Sequence, residues 1–265
     1  MVEDEDRPPV GVDTTRPSPA RVWDYFLGGK DNYAVDRSAA EMIMGLAPDV
    51  RETARAHRVF LERAVRHLAQ AGIRQFIDLG AGIPTSPSTH QIAREVDGAA
   101  RVIYVDFDPL VVVHGQALLA THDGVSAVRG DIRHPDEILD NPQLRAVIDF
   151  AEPVGVLFIA VLPFVTDAED PYGVVARFRE RMAPGSYVVI AHAASDSDPA
   201  AMAQATAAFA NSPTKILPRS AAEITRMFDG FAPIEPGVVN IERWHGGPDA
   251  PRTRLGSYGG VGRRD

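Results

Sequence analysis

Hydrophobic and polar positions change period once along this chain, near residue 75. Residues 1–16 are acidic, proline-bearing and aperiodic, and read as a mobile tail. Helical spacing follows. Ser18-Pro19 supplies an N-cap and first-turn pair, and Gly28-Gly29 stops the helix after RVWDYFL. A second helix is predicted over 33–45. A third runs from near Pro48 to Gln70, with Ala54, Val59, Leu61, Val65 and Leu68 near helical spacing and Gly72 as its breaker. Beyond this point short apolar runs alternate with helical patterns. QFIDL, RVIYVD, VSAVRG, VGVLFIAVL and SYVVIAHA read as buried strands, with helices at 88–97, 108–121, 135–147 and 171–182. Ser88 and Gln91 have capping-box spacing. Such alternation predicts a mostly parallel, doubly wound α/β sheet. An Ala-rich helix near 199–210, a short helix near 220–229 and two extended segments near 231–241 and 253–260 follow. The last two are expected to add an antiparallel hairpin at the sheet edge. The domain reading is a tail over 1–16, a helical lid section over 17–72 and a Rossmann-like core over 73–265.

Composition narrows the function classes. The net charge of -9 disfavours nucleic acid as a partner, because phosphate-backbone binding needs a clustered basic surface. No apolar run approaches the roughly 20 residues of a membrane span. MVEDEDRPPV lacks the basic-then-apolar layout of a signal peptide, and cysteine is absent, so a cytoplasmic location is expected. Without thiolates, and with no metal-ligand spacing among the histidines, no metal is expected.

Candidate chemistry gathers at strand ends. Phe76-Ile77-Asp78-Leu79-Gly80-Ala81-Gly82 ends a strand in an acid and follows it with two glycines that admit a ligand to the backbone. No third glycine follows Ile83-Pro84-Thr85, and Asp78 would repel a pyrophosphate, which argues against NAD. That acid suits the cationic amino end of S-adenosylmethionine instead. Asp106 closes the next strand, where an acid accepts hydrogen bonds from ribose hydroxyls; Asp108 reads as the cap of the helix at Pro109. Asp131 with Ile132 lies where adenine would be held, and Ala160 with Val161 where apolar residues would wall the sulfonium.

Together these positions resemble the class I, Rossmann-like S-adenosylmethionine-dependent methyltransferases. More narrowly, the chain resembles the actinobacterial "S-adenosyl methyltransferase" family, through PSPARVWDYFLGGKDNYAVDR, FIDLGAGIPTSPSTHQIA, VIYVDFDPLVVVHGQALL, DIRHPDEIL, DPYGVVARFRERMAPGSYVVIAH and SYGGVGRR. The resemblance implies bound S-adenosylmethionine beneath an N-terminal helical lid. It puts Asp78, Gly80 and Gly82 at the methionyl moiety, Asp106 at the ribose, and Asp131 and Ile132 at the adenine. One departure stands out: Leu162-Pro163-Phe164 occupies a place where Leu-His-Phe is expected.

Sulfonium methyl transfer needs alignment and dryness more than a base. Trp23, Tyr25, Lys30, Asn32 and Tyr33 are the candidate lid and substrate pocket, since aromatic faces suit a sulfonium and paired glycines allow a hinge. Tyr33 and His192 are the candidate catalytic groups, His192 because it ends the fifth strand. The expected activity is methyl transfer to a small molecule. Alternatives are an S-adenosylmethionine-binding protein without turnover, motivated by Pro163, and then an NAD-dependent oxidoreductase.

Overall fold

A computed structural model describes residues 11–119, 123–200, 203, 216–246 and 253–265. Three helices come first: α1 (Pro19–Leu27), α2 (Ala34–Leu46) and α3 (Val50–Gln70). The parallel strands are β1 (Gln75–Leu79), β2 (Arg101–Asp106), β3 (Val125–Arg129), β4 (Gly155–Ile159) and β5 (Tyr187–Ala193). Between them lie α4 (Thr89–Val96), α5 (Pro109–Leu119), α6 (Pro135–Leu139), α7 (Pro142–Val147) and α8 (Pro171–Arg181). The chain ends with α9 (Ala221–Arg226), β6 (Ala232–Pro233), β7 (Val239–Asn240) and β8 (Ser257–Arg263).

The sheet order is β3-β2-β1-β4-β5-β8-β6. β8 runs antiparallel to β5 and takes both β6 and β7 on its other edge, which is the expected C-terminal antiparallel addition. The helix predicted near 199–210 lies almost wholly outside the described residues. The segment predicted as one helix over 135–147 is two, α6 and α7. Pro142 cannot donate to the preceding turn, and Asn141 restarts the helix by accepting the N–H groups of Gln143 (2.8 Å) and Leu144 (3.3 Å). Val59, placed at helical spacing with the core, is 42% exposed, and its neighbour Phe60 is the buried residue.

Period-2 alternation divides the strands between two cores. Ile77, Leu79, Ile103, Val105, Val156, Phe158, Val188 and Ile190 pack on one face with Phe178 of α8. Phe76, Val102, Leu157 and Val189 pack on the other with Phe60, Leu61, Val65 and Leu68 of α3. Asp78 and Asp106 share the parity of the second set, so both strand-end acids face the α3 side. α1, α2 and the start of α3 hold a smaller core of their own, built on Val22, Phe26, Ala40, Ile43 and Ala54.

Candidate active site

A cleft of about 860 Å³, measured out to its mouth, opens at the carboxyl ends of β1, β2 and β4. Its floor is Asp78, Gly80, Ala81, Gly82, Asp106, Ala160 and Val161; α1 contributes Trp23, Asp24 and Leu27, and α3 contributes His57, Arg58 and Leu61. Its lining, acids beside apolar side chains, suits a nucleoside cofactor.

The turn after β1 is stitched to the end of β2. The N–H groups of Gly80 (2.8 Å) and Ala81 (3.3 Å) donate to the carbonyl of Val105, and the Gly82 N–H donates to Asp106 Oδ2 at 2.9 Å. Gly80 has φ +65, and a Cβ there would lie 2.2 Å from Val161 Cγ2, because Ala160 turns the chain after β4 with φ 57. Glycine is required at this crossing. Gly80→Ala is expected to cost more than about 1 kcal/mol, through strain and displacement of Val161, and to lower the melting temperature in a thermal scan. An unchanged melting temperature would show that the crossing is looser than this.

Asp106 is 6% exposed and holds its second oxygen to the Asp108 N–H at 2.9 Å. Asp78 is 4% exposed and accepts from Thr89 Oγ1 at 2.6 Å. Burial pushes both carboxyls up to about 6; the Thr89 hydroxyl and the Arg58 guanidinium oppose this at Asp78, and the Asp108 and Gly82 amides oppose it at Asp106. Arg58 is held by the carbonyl of Thr85 at 3.2 Å and by that of Pro87. The cleft therefore carries two buried acids and one half-buried cation. Asp108 accepts the Leu110 N–H at 2.8 Å, which makes it the cap of α5. Its other oxygen receives the Ser18 hydroxyl, tying the start of α1 to the end of β2.

The lid residues separate. Trp23 lines the cleft. Tyr25 turns toward α2 and α3, with Arg51 over its ring at 5.3 Å and its hydroxyl 3.3 Å from Glu41. Lys30 is exposed. Asn32 is buried and closes the Gly28-Gly29 loop by donating to Asp24 Oδ2 at 2.8 Å. Tyr33 packs beside Ile83, Leu110 and Val111, with Arg21 at 5.3 Å over its ring. Asp131 is paired with Arg133, whose guanidinium holds the carboxyl below its usual range. Ile132 belongs to the core on the opposite sheet face. His192 shares the parity of Val188 and Ile190, is fully buried, and does not line the cleft. Its Nε2 accepts from Arg219 at 3.0 Å and its Nδ1 meets the Ala193 carbonyl at 2.9 Å; burial pushes it down to about 4. Pro163 lies in a short 3-10 turn where its carbonyl accepts the Leu217 N–H at 2.8 Å, and Phe164 faces the cleft instead.

Cleft residues that the sequence did not single out include His57, Arg58 and Phe107. The first two sit in the arginine-rich pattern of α3, where nothing but tertiary packing distinguishes them from surface positions. Phe107 is an apolar residue between two motif acids and is 49% exposed, a hint available in the sequence.

The sheet order, the Gly-x-Gly turn after β1 and the buried acid ending β2 define a Rossmann-like methyltransferase of the class I type. The sequence profile of a family described as S-adenosyl methyltransferase matches residues 5–265, and the chain belongs to that family. It is thus an S-adenosylmethionine-dependent methyltransferase. Among solved structures it is similar to a protein of Thermobifida fusca YX (37% identity over 97% of this chain and 98% of that one, TM-score 0.90). A duf574 family protein from Streptomyces avermitilis is equally similar (37% identity over 96% and 99%, TM-score 0.91). Human N-acetylserotonin methyltransferase in complex with SAM, at 13% identity over 94% of this chain and 63% of that one with TM-score 0.51, shares the fold alone. No functionally curated protein matches the sequence. Among the described residues, no helix is long and apolar enough to cross a membrane.

Proposed function

We propose that the cleft transfers a methyl group to a small-molecule acceptor that enters between α1 and the ends of β1 and β4. The observation that carries this reading is the pair of buried carboxylates, Asp78 and Asp106, on one side of the sheet under Trp23. They fit the cofactor's two hydrophilic regions. Asp106 would accept the ribose hydroxyls, and Asp78 the amino group. Arg58, half-buried in the same wall, would take the carboxylate. Gly80 and Gly82 keep the floor free of side chains. Asp131 and Ile132 are the proposed adenine residues. Supporting this, the Gly130 N–H donates to the Asp106 carbonyl at 3.0 Å, so the loop after β3 begins beside the ribose acid. The exposed ring of Phe107 offers a second apolar face there.

Bound S-adenosylmethionine supplies a methyl already activated on sulfur, so the protein's work is to align an acceptor and exclude water. Ala160, Val161 and Phe164 form a dry wall on the β4 side. Trp23 and Leu27 roof the cleft, with Asn32 and Asp24 fixing the loop that leads from them; Tyr25, Lys30 and Tyr33 anchor or flank the section that would open. The Pro163 departure removes nothing from the cleft wall, which supports turnover over binding alone. The net charge of -9 is in keeping with a small acceptor rather than a nucleic acid.

Calorimetric titration with S-adenosylmethionine, S-adenosylhomocysteine and NAD tests the reading. The first two are expected to bind and NAD is not; binding of NAD alone would overturn it. Affinity carries a pH signature. The fold raises both carboxyls to about 6 from an ordinary 3.8, so it favours their protonated forms, and ionising them as pH rises through 6 costs the free protein stability. The cofactor needs the ionised forms. Its affinity should therefore be full above about pH 7 and fall as pH drops through 6, while these two groups make the free protein relatively more stable over the same descent.

A further inference from the structure

His57 lines the cleft from the middle of α3 and is 3% exposed. Its Nδ1 lies 2.9 Å from the Thr53 carbonyl, an acceptor, so Nδ1 carries the proton and Nε2 presents a bare lone pair. That Nε2 is buried and has no partner within the protein. His192 differs, because its Nε2 is engaged by Arg219. Buried polar atoms are satisfied as a rule, and an exception in a functional cleft calls for a role. The imidazole and the Trp23 ring pack edge-to-face with centroids 5.5 Å apart, so the same lid residue lines the cleft and contacts this histidine.

The groups around His57 suit a proton acceptor. Burial keeps the imidazole below its ordinary range, hence neutral and ready to accept. The Glu242 carboxylate acts in the opposite sense; its Oε2 is buried without a partner, so it would favour an imidazolium as one forms. His192, Arg58 and Asp78 are the other titratable groups nearby. The walls, Trp23, Leu27, Leu61, Ile159 and Phe164, are apolar or aromatic.

We infer that His57 Nε2 takes the proton of the methyl acceptor, and that the acceptor is a neutral hydroxylated aromatic molecule. This rests on the cofactor reading above. The acceptor oxygen forms its bond to the methyl carbon as the carbon–sulfur bond breaks, with that electron pair going to sulfur. The hydroxyl proton passes to Nε2 and leaves to solvent after product release. A base weakened by burial cannot usefully ionise an aliphatic alcohol, whereas a phenol, with a pKa near about 10, is within its reach. Two carboxylates in the cleft disfavour an anionic acceptor.

The test uses the full chain with nitrogen-15-labelled histidine. Ring resonances are assigned with His57→Gln, and 4-nitrophenol, phenol and cyclohexanol are added in the presence of S-adenosylhomocysteine. We expect His57, like His192, to show an unprotonated Nε2 at neutral pH, and His57 alone to be moved toward the protonated shift by the phenols and not by cyclohexanol. Enhanced phenolate absorbance of bound 4-nitrophenol should disappear in His57→Gln, while S-adenosylhomocysteine affinity stays within about twofold. With S-adenosylmethionine, methylation of the phenols should fall about 10²–10⁴-fold in that variant. A protonated Nε2 in the resting protein, no response to any phenol, or equal turnover in His57→Gln would overturn the inference. The first two are read on the unmutated protein. Failure of S-adenosylhomocysteine to bind that protein would instead remove the cofactor reading on which it stands.

Discussion

Replacing Asp106 with alanine is expected to weaken S-adenosylhomocysteine binding by at least about a hundredfold. Hydrogen bonds to a charged group contribute about 1.5–3 kcal/mol each, and two ribose hydroxyls would be lost together. At about 1.4 kcal/mol per tenfold, that is two or more decades of affinity. A second contribution comes from the protein itself, because the N–H groups of Gly82 and Asp108 both end on this carboxylate. Alanine frees the turn after β1 as well as removing the ligand contact. Asp106→Asn separates the two effects. It keeps the side-chain volume and one carbonyl oxygen for either Gly82 or Asp108 while its NH2 faces the other N–H, so about tenfold is expected; the lost bond is offset by relief of the buried charge, and the melting temperature should change little. Free-protein stability should also change little in Asp106→Ala, since loss of two backbone contacts is offset by relief of a buried charge. Calorimetry beside a thermal melt reads both quantities. Wild-type affinity in Asp106→Ala would sink the ribose assignment outright.

The parts of this molecule that could be read from the sequence are those governed by local chemistry. β1 to β5 are mostly apolar runs because both faces of the sheet are covered. α1 announces itself through Pro19 at its first turn and Gly28 at its end, where φ is 84. Ser88 and Gln91 form the capping box their spacing implies. Parity did the rest for Asp78 and Asp106: once the strands end where the acids fall, both acids reach the same face.

Elsewhere distant contacts decide. β8 carries Gly259, Gly260 and Gly262, poor strand formers on propensity, yet a Cβ at 259 would lie 2.6 Å from the Ile190 carbonyl oxygen. Glycine there lets Phe60 and Phe231 pack against the strand, something visible only once α3 and the C-terminal segment are placed. His192 ends a strand in the right layer but on the opposite parity, against Arg219, a residue 27 positions away. His57 shows the converse. It sits in a helix whose arginines suggest a solvated face, and only the arrival of Trp23 across it creates a dry nitrogen.

The largest stability effect is expected at Asp36. Its carboxylate is fully buried, accepts the Ser18 N–H at 2.9 Å and the Tyr33 N–H at 2.9 Å, and forms an ion pair with the Arg21 guanidinium at 3.2 Å. Arg21 is 3% exposed, so the pair is dry, and its other nitrogen fastens the incoming chain by donating to the carbonyls of Asp13 (3.0 Å) and Arg16 (2.7 Å). Removing one partner of a buried pair leaves an uncompensated charge and costs about 3–5 kcal/mol. Asp36→Ala should therefore lose that amount, because it strands Arg21 and undoes the cap of α2 in one change. The loss need not be global. α1 and α2 hold a core of their own, so the section can open while β1 and β4 stay folded. Hydrogen exchange should show α1 and α2 unprotected in the variant and the central strands unchanged. S-adenosylhomocysteine affinity should drop because Trp23 and Leu27 no longer roof the cleft. Replacing both members, Arg21→Met with Asp36→Leu, should recover much of the helix protection, since an apolar pair pays no desolvation cost. Retained protection in Asp36→Ala would mean that packing alone holds the lid; failure of the double variant to recover would assign the effect to the cap and the tether rather than to the charge.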